Sequence, residues 1–117
     1  MIRPRMILQK KEPKISYKVA EFRALAHVIS HMGQMLTDTD NLCGHGTMLH
    51  VINVYRLGKR MMDKKTAGKE TIKFTYKVEE AISLTFMMPM GVGPNMDDPW
   101  IQAIISDTLD QLNQYLS

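Results

Sequence analysis

Apolar and polar residues follow two rhythms along this chain. Ile15, Tyr17 and Val19 alternate with polar neighbours, and so do Ile72, Phe74, Tyr76 and Val78. A period of two sends alternate side chains to opposite faces of a strand. Each alternating run leads directly into a period of three to four. Over 18–36, Phe22, Leu25, Ile29, Met32 and Leu36 share one helical face, while Arg23, His27, Ser30, His31 and Gln34 fall opposite. Gly33 and the run TDTDN (37–41) are expected to weaken and then end this helix.

After the loop CGHGT (43–47), Thr47 is a candidate cap for a helix over 47–64. Val51, Val54, Tyr55, Met61 and Met62 flank its apolar face, with Gly58 at the centre. An interior glycine costs a helix about 1 kcal/mol relative to alanine, so a close helix contact is expected there. A polar turn, DKKTAGKET (63–71), precedes the second strand, and a short helix over 78–88 ends before Pro89. Asp98 and Pro99 form a strong start signal for a last helix over 98–116. Its apolar face is Ile101, Ile104, Ile105, Leu112, Tyr115 and Leu116.

The order is strand-helix-helix, twice, and the opening phrase repeats. ISYKVAEFRAL (15–25) returns as FTYKVEEAISL (74–84), with Tyr, Lys, Val, Glu and Leu at matching positions. In both copies the glutamate, Glu21 or Glu80, falls in the first helical turn, where the helix dipole favours a carboxylate. The expected fold is mainly α: four helices in two α-hairpins, related by a possible pseudo-two-fold axis. Segments 14–18 and 71–77 are expected to pair as a short two-stranded ribbon, because a lone strand leaves its backbone unsatisfied. The whole chain, 1–117, reads as one domain, with a basic arm at 1–13 and halves at 14–65 and 71–117.

Composition changes this picture little. With 44% apolar and 23% charged residues, the chain has the balance of a soluble globular protein. One cysteine, Cys43, precludes an internal disulfide and suits a reducing compartment. The run Met6-Ile7-Leu8 is too short for a signal-peptide core or a membrane span, so no membrane role and a cytoplasmic location are expected.

Charge layout changes it more. Residues 1–77 hold all fifteen bases and six acids, a net +9; residues 78–117 hold six acids and no base, a net −6. Either the halves attract each other, within one chain or between copies, or the basic half meets a polyanion. The arm residues Arg3, Arg5, Lys10, Lys11 and Lys14, and a helical stripe of Arg56, Lys59, Arg60 and Lys64, are candidate nucleic-acid contacts.

Motifs for chemistry are sparse. His27 and His31 have a metal-sharing spacing, and Cys43 and His45 follow, but neither a CxxC pair nor an HExxH motif accompanies them. Solvated histidines are the favoured reading. Cys43 and His45 lack an orienting third group for a nucleophile pair. No catalytic residue and no cofactor are assigned. Among eleven methionines, Met32, Met35, Met48, Met61 and Met62 read as core filling. Met87, Met88, Met90 and Met96, within or beside FMMPMGVGPNM (86–96), read as a candidate contact surface. The leading expectation is a helical protein–protein interaction module without catalysis, a homodimer or the partner of another protein. The alternative is a nucleic-acid-binding accessory protein.

Overall fold

The alternating runs become the ribbon and the three-to-four runs become the helices. The computed structural model describes residues 12–37, 45–88 and 98–116. The elements are β1 (Lys14–Lys18), α1 (Val19–Thr37), α2 (His45–Asp63), β2 (Thr71–Thr75), α3 (Val78–Met87) and α4 (Pro99–Leu116). The chain is thus mainly helical, with one antiparallel pair of strands. Thr47 lies inside α2, which starts two residues earlier than expected, so it is not the cap. At α4 the expected start holds: Asp98 Oδ1 accepts the Trp100 N–H at 2.9 Å.

β1 and β2 pair with Lys14 opposite Thr75, Ser16 opposite Lys73 and Lys18 opposite Thr71. One further hydrogen bond lies at each end, from Tyr76 N–H to the Pro13 carbonyl and from Val19 N–H to the Glu70 carbonyl. The inner parity, Ile15, Tyr17, Ile72 and Phe74, is buried in the core beside Tyr76. A two-stranded ribbon alone is marginal in water, and this packed face anchors it. In the turn before β2, Gly68 takes φ +77°, a left-handed conformation that suits glycine. Arg23 on α1 ties that turn down through two bonds to Thr66 Oγ1, at 2.9 and 3.1 Å.

The repeated phrase has a physical reason. The Lys77 N–H donates to Glu80 Oε1 at 2.9 Å, and the Lys18 N–H donates to Glu21 Oε1 at 3.3 Å. Each glutamate reaches back over the first turn to a backbone donor that the helix leaves without a partner. The same words therefore make the same strand-to-helix passage twice. Beyond it the halves diverge: α1 and α2 pack along their length, whereas the ten-residue α3 lies mainly on α2 and meets α4 lightly. A two-fold relation between the hairpins is not established.

Two glycines set the distance between α1 and α2. A Cβ on Gly58 would lie 2.7 Å from Ser30 Cα and 3.0 Å from Ser30 N. A Cβ on Gly33 would lie 2.9 Å from Tyr55 Cα. Gly58 thus marks a backbone-to-backbone contact, as its place on the apolar face predicts. Gly33 does not weaken α1 but is buried in the same contact, and Ser30 sits in this seam rather than on a solvent face.

The methionines divide differently from the expectation. Met32 and Met61 are core residues, but Met35, Met48 and Met62 are 44–48% exposed. Met87 and Met88, expected at a contact surface, are 2% exposed and belong to the core of the single chain. Their side chains fill the space under α3, a fate that a helix ending in two consecutive apolar residues makes natural.

Two buried polar links cross the core. Tyr17 Oη meets Tyr76 Oη at 2.6 Å and Thr108 Oγ1 at 3.0 Å, joining the ribbon to α4. Burial pushes the Tyr17 hydroxyl up to about 12, and burial likewise raises Tyr76 well above the usual tyrosine range.

Candidate nucleic-acid interface

The four cations of the α2 stripe have different fates. Arg56 and Lys64 are exposed, and Lys59 lies 5.1 Å from the centre of the Tyr55 ring. Arg60 is not a free surface cation. Its Nε and Nη2 donate to the two Glu80 oxygens at 2.9 and 2.8 Å, Nη2 also donates to the Thr75 carbonyl at 2.8 Å, and the guanidinium lies 4.9 Å from the centre of the Phe74 ring. Hydrogen bonding to Glu80 raises the Arg60 pKa and outweighs the opposing effect of burial. Glu80 is 3% exposed, so this forked pair joins α2 to α3 and β2 within the fold.

Another set of cations comes together on the ribbon. Outward parity exposes Lys14, Ser16 and Lys18 on β1 and Thr71 and Lys73 on β2, with Thr75 half-buried. Combined with the register, this places one lysine opposite one hydroxyl in each of the three outward pairs. None of the six carries a negative charge. The hydroxyls donate and accept, and the lysines donate only, so the face offers a row of donors under a positive field.

The two edges of this face differ. Beside β2, Lys64 and Lys73 line an open hollow of about 300 Å³ with Arg60, Asp63, Phe74 and Thr75. Beside β1, a smaller hollow of about 120 Å³ brings Glu21 and Asp107 near Ser16, along with the half-exposed Trp100. The first edge is cationic and the second is acidic.

The remaining sequence candidates scatter. His27 and His31 are exposed on α1, and His27 borders a shallow hollow with Arg23, Met62 and Lys64. Cys43 and the His45 side chain lie outside the described residues, as do Arg3, Arg5, Lys10, Lys11, Met90 and Met96. Among the described residues, no group of three His, Cys, Asp or Glu side chains is placed to hold a metal ion.

One cluster went unnoticed in the sequence. Ser83 Oγ meets His50 Nδ1 at 2.8 Å and accepts from Asn53 Nδ2 at 3.0 Å, and the His50 ring stacks on Phe86 at 4.5 Å. A serine beside a histidine has the composition of a nucleophile and its base. Here Ser83 is fully buried, so its hydroxyl fastens α3 to α2 out of reach of a substrate. Outside this seam lie Leu49 and Ile52 on α2 and Ile82 and Phe86 on α3, all substantially exposed.

Among the described residues, no helix is long and apolar enough to cross a membrane. No protein-family model, curated protein or solved structure matches this chain.

Proposed function

We propose that the protein binds nucleic acid, with the outer face of the β1–β2 ribbon as its contact surface. The observation that carries this reading is the pairing of a lysine with a hydroxyl at each of three consecutive outward positions, without an acid among the six residues. Lysines on an exposed ribbon also discourage strand-to-strand aggregation. That role accounts for the lysines equally well, but it does not require their register with the hydroxyls. Beyond the strands the sign is mixed: Lys64, Lys65, Lys69 and Lys77 are interleaved with exposed Asp63, Glu70 and Glu79, and Glu12 precedes β1, so the three outward pairs carry the reading by themselves. Of the stripe residues, Arg56, Lys59 and Lys64 keep cationic ends available to a phosphate, whereas Arg60 serves the fold.

Fluorescence anisotropy with a labelled random-sequence duplex tests the reading. Affinity should fall with salt on a log–log plot by about 0.9 per phosphate neutralised. Replacing Lys14, Lys18 and Lys73 together with glutamine should flatten the slope by about two to three units. These side chains point into solvent, so circular dichroism should stay unchanged. A triple variant that keeps both affinity and slope rules the ribbon out.

A second reading, self-association, is favoured by the apolar face of Leu49, Ile52, Ile82 and Phe86. Arg56 continues this face on α2 and Glu79 continues it on α3. A two-fold contact between copies can set Arg56 of each against Glu79 of the other, so the occupant that fits is a second copy of the chain. Light scattering should then show a dimer that Phe86→Glu converts to monomer. A monomeric parent at high concentration excludes this reading and leaves the first untouched.

A further inference from the structure

Resting on the nucleic-acid reading, we infer that the ribbon recognises B-form DNA specifically, by entering its major groove with Ser16 and Lys73 against the base edges. The argument starts from size. Five residues per strand span roughly 17 Å at about 3.4 Å each, the length of about five base-pair steps. Two strands about 4.8 Å apart, carrying outward side chains, fit a major groove about 12 Å wide and leave no room in a minor groove of about 6 Å. The inner face is packed into the core through Ile15, Tyr17, Ile72 and Phe74, so the outward side chains are presented in one fixed register.

Chemistry points the same way. Ser16 opposes Lys73 at the middle of the five-pair register, with Lys14–Thr75 and Lys18–Thr71 two residues to either side. The central pair therefore sits deepest in a groove, and Lys14 and Lys18, both on β1, reach toward the wall on that side. A lysine donates to the O6 and N7 acceptors of guanine, and a serine hydroxyl serves either a donor or an acceptor on a base edge. An antiparallel pair has a local two-fold normal to its plane, as a duplex has, so the backbone can meet both strands equivalently. The side chains cannot: the centre is Ser on one strand and Lys on the other. The preferred site is thus a short, imperfect palindrome with guanine favoured on the Lys73 side.

The unequal edges orient the ribbon. Beside β2, Lys64 and Lys73 outnumber Asp63 and attract one phosphate strand, while beside β1 Glu21 and Asp107 offset the pull of Lys14 and Lys18 on the other. The β2 edge therefore rides closer to the backbone. Removing the β1-edge repulsion with Asp107→Asn should tighten binding severalfold, and Lys64→Gln should weaken it.

RNA provides the discriminating control. The major groove of an A-form duplex is deep and too narrow for side chains to read. A pool of 30-base-pair DNA duplexes with a randomised centre would be selected on the full chain, and the winning site compared with the RNA duplex of the same sequence. We expect the DNA to bind at least tenfold more tightly. Dimethyl sulfate probing of the bound site should protect guanine N7, in the major groove, and leave adenine N3, in the minor groove, reactive. Lys73→Gln should cost about tenfold on the selected site, more than it costs on random duplex, and should relax the guanine preference. Equal affinity for DNA and RNA, or protection of adenine N3, overturns the groove assignment but leaves nucleic-acid binding standing. No binding to either duplex removes both.

Discussion

Replacing Gly58 with alanine sets two effects of opposite sign against each other. Helix propensity alone makes alanine better by about 1 kcal/mol. The structure opposes it, because the new Cβ would stand 2.7 Å from Ser30 Cα. Carbon atoms rest at about 3.5–4.0 Å, so α1 and α2 must separate locally by about 1 Å. Trimming a neighbouring side chain cannot relieve the contact, since the obstructing atoms are the backbone of Ser30 and Ile29. The separation would also loosen Gly33 against Tyr55, the other close point of the same seam. Overpacking of this kind costs about 1–3 kcal/mol, with the upper half expected against unyielding backbone. Net of propensity, Gly58→Ala should lose about 1–2 kcal/mol. Urea unfolding followed by circular dichroism would read this as a lower midpoint at unchanged slope. In a chain of this size it corresponds to a fall of about 4–8 °C in Tm. Gly58→Leu should fall further. A Gly58→Ala protein as stable as the parent, or more so, would refute the close contact.

Other interactions carry their own tests. Arg60→Gln should destabilise the protein by about 3 kcal/mol, the low end for breaking a buried pair because the arginine side is partly open to water, since Glu80 would be left buried and unpaired. Adding Glu80→Gln should recover part of that loss, which a double-mutant cycle measures. Met88→Asp should lower the unfolding midpoint rather than dissociate an oligomer, because it forces a carboxylate into the core. For the tyrosine pair, the folded-state pKa lies above the unfolded value near 10. The folded protein then holds more protons above pH 10, so the contribution of these hydroxyls is complete below about pH 10 and lost as pH rises through about 12. Unfolding midpoints should fall across that window, and less steeply when Tyr17 and Tyr76 are both phenylalanine.

The helices and the ribbon were legible because each rests on a local rhythm. Phe22, Leu25, Ile29 and Met32 state their face by spacing alone, and Asp98-Pro99 states a helix start by chemistry. What spacing could not give was partnership across the chain. Arg60 looked like its neighbours Arg56 and Lys59 on a helical wheel, and only the approach of Glu80, twenty residues on, separates it from them. Gly33 and Gly58 carry the same property, yet one sat near a polar run and read as a breaker. Met87 and Met88 read as surface because they adjoin a Pro- and Gly-rich loop, while the short α3 needs their bulk beneath it. The ribbon face was half visible. Alternation assigned the inner parity, and the outer parity was its complement. The lysine-hydroxyl pairing required the register, which a sequence without a tight hairpin turn leaves open.

The register also changes what the charge asymmetry means. In the sequence, a basic first part and an acidic last part could neutralise each other through many contacts. Among the described residues, one ion pair joins them, Arg60 with Glu80. The other cations near the ribbon stay in water: Lys14, Lys18 and Lys73 on its face, Lys64, Lys65 and Lys69 before it, Lys77 after it. The acids of α4 reach this region only at the β1 edge, through Asp107. Exposed Glu12, Asp63, Glu70 and Glu79 flank the ribbon, so the excess of positive charge is confined to its outward face, where the three lysines have no acid among them. A fold indifferent to this could alternate signs along the ribbon, since each outward position is open to any polar side chain. Here the three outward pairs hold lysines and hydroxyls in register, with no acid among the six residues. Mixed-sign surfaces suit solubility; a single-sign surface in register suits a repeating polyanion, with the 0.9-per-phosphate salt slope as its signature.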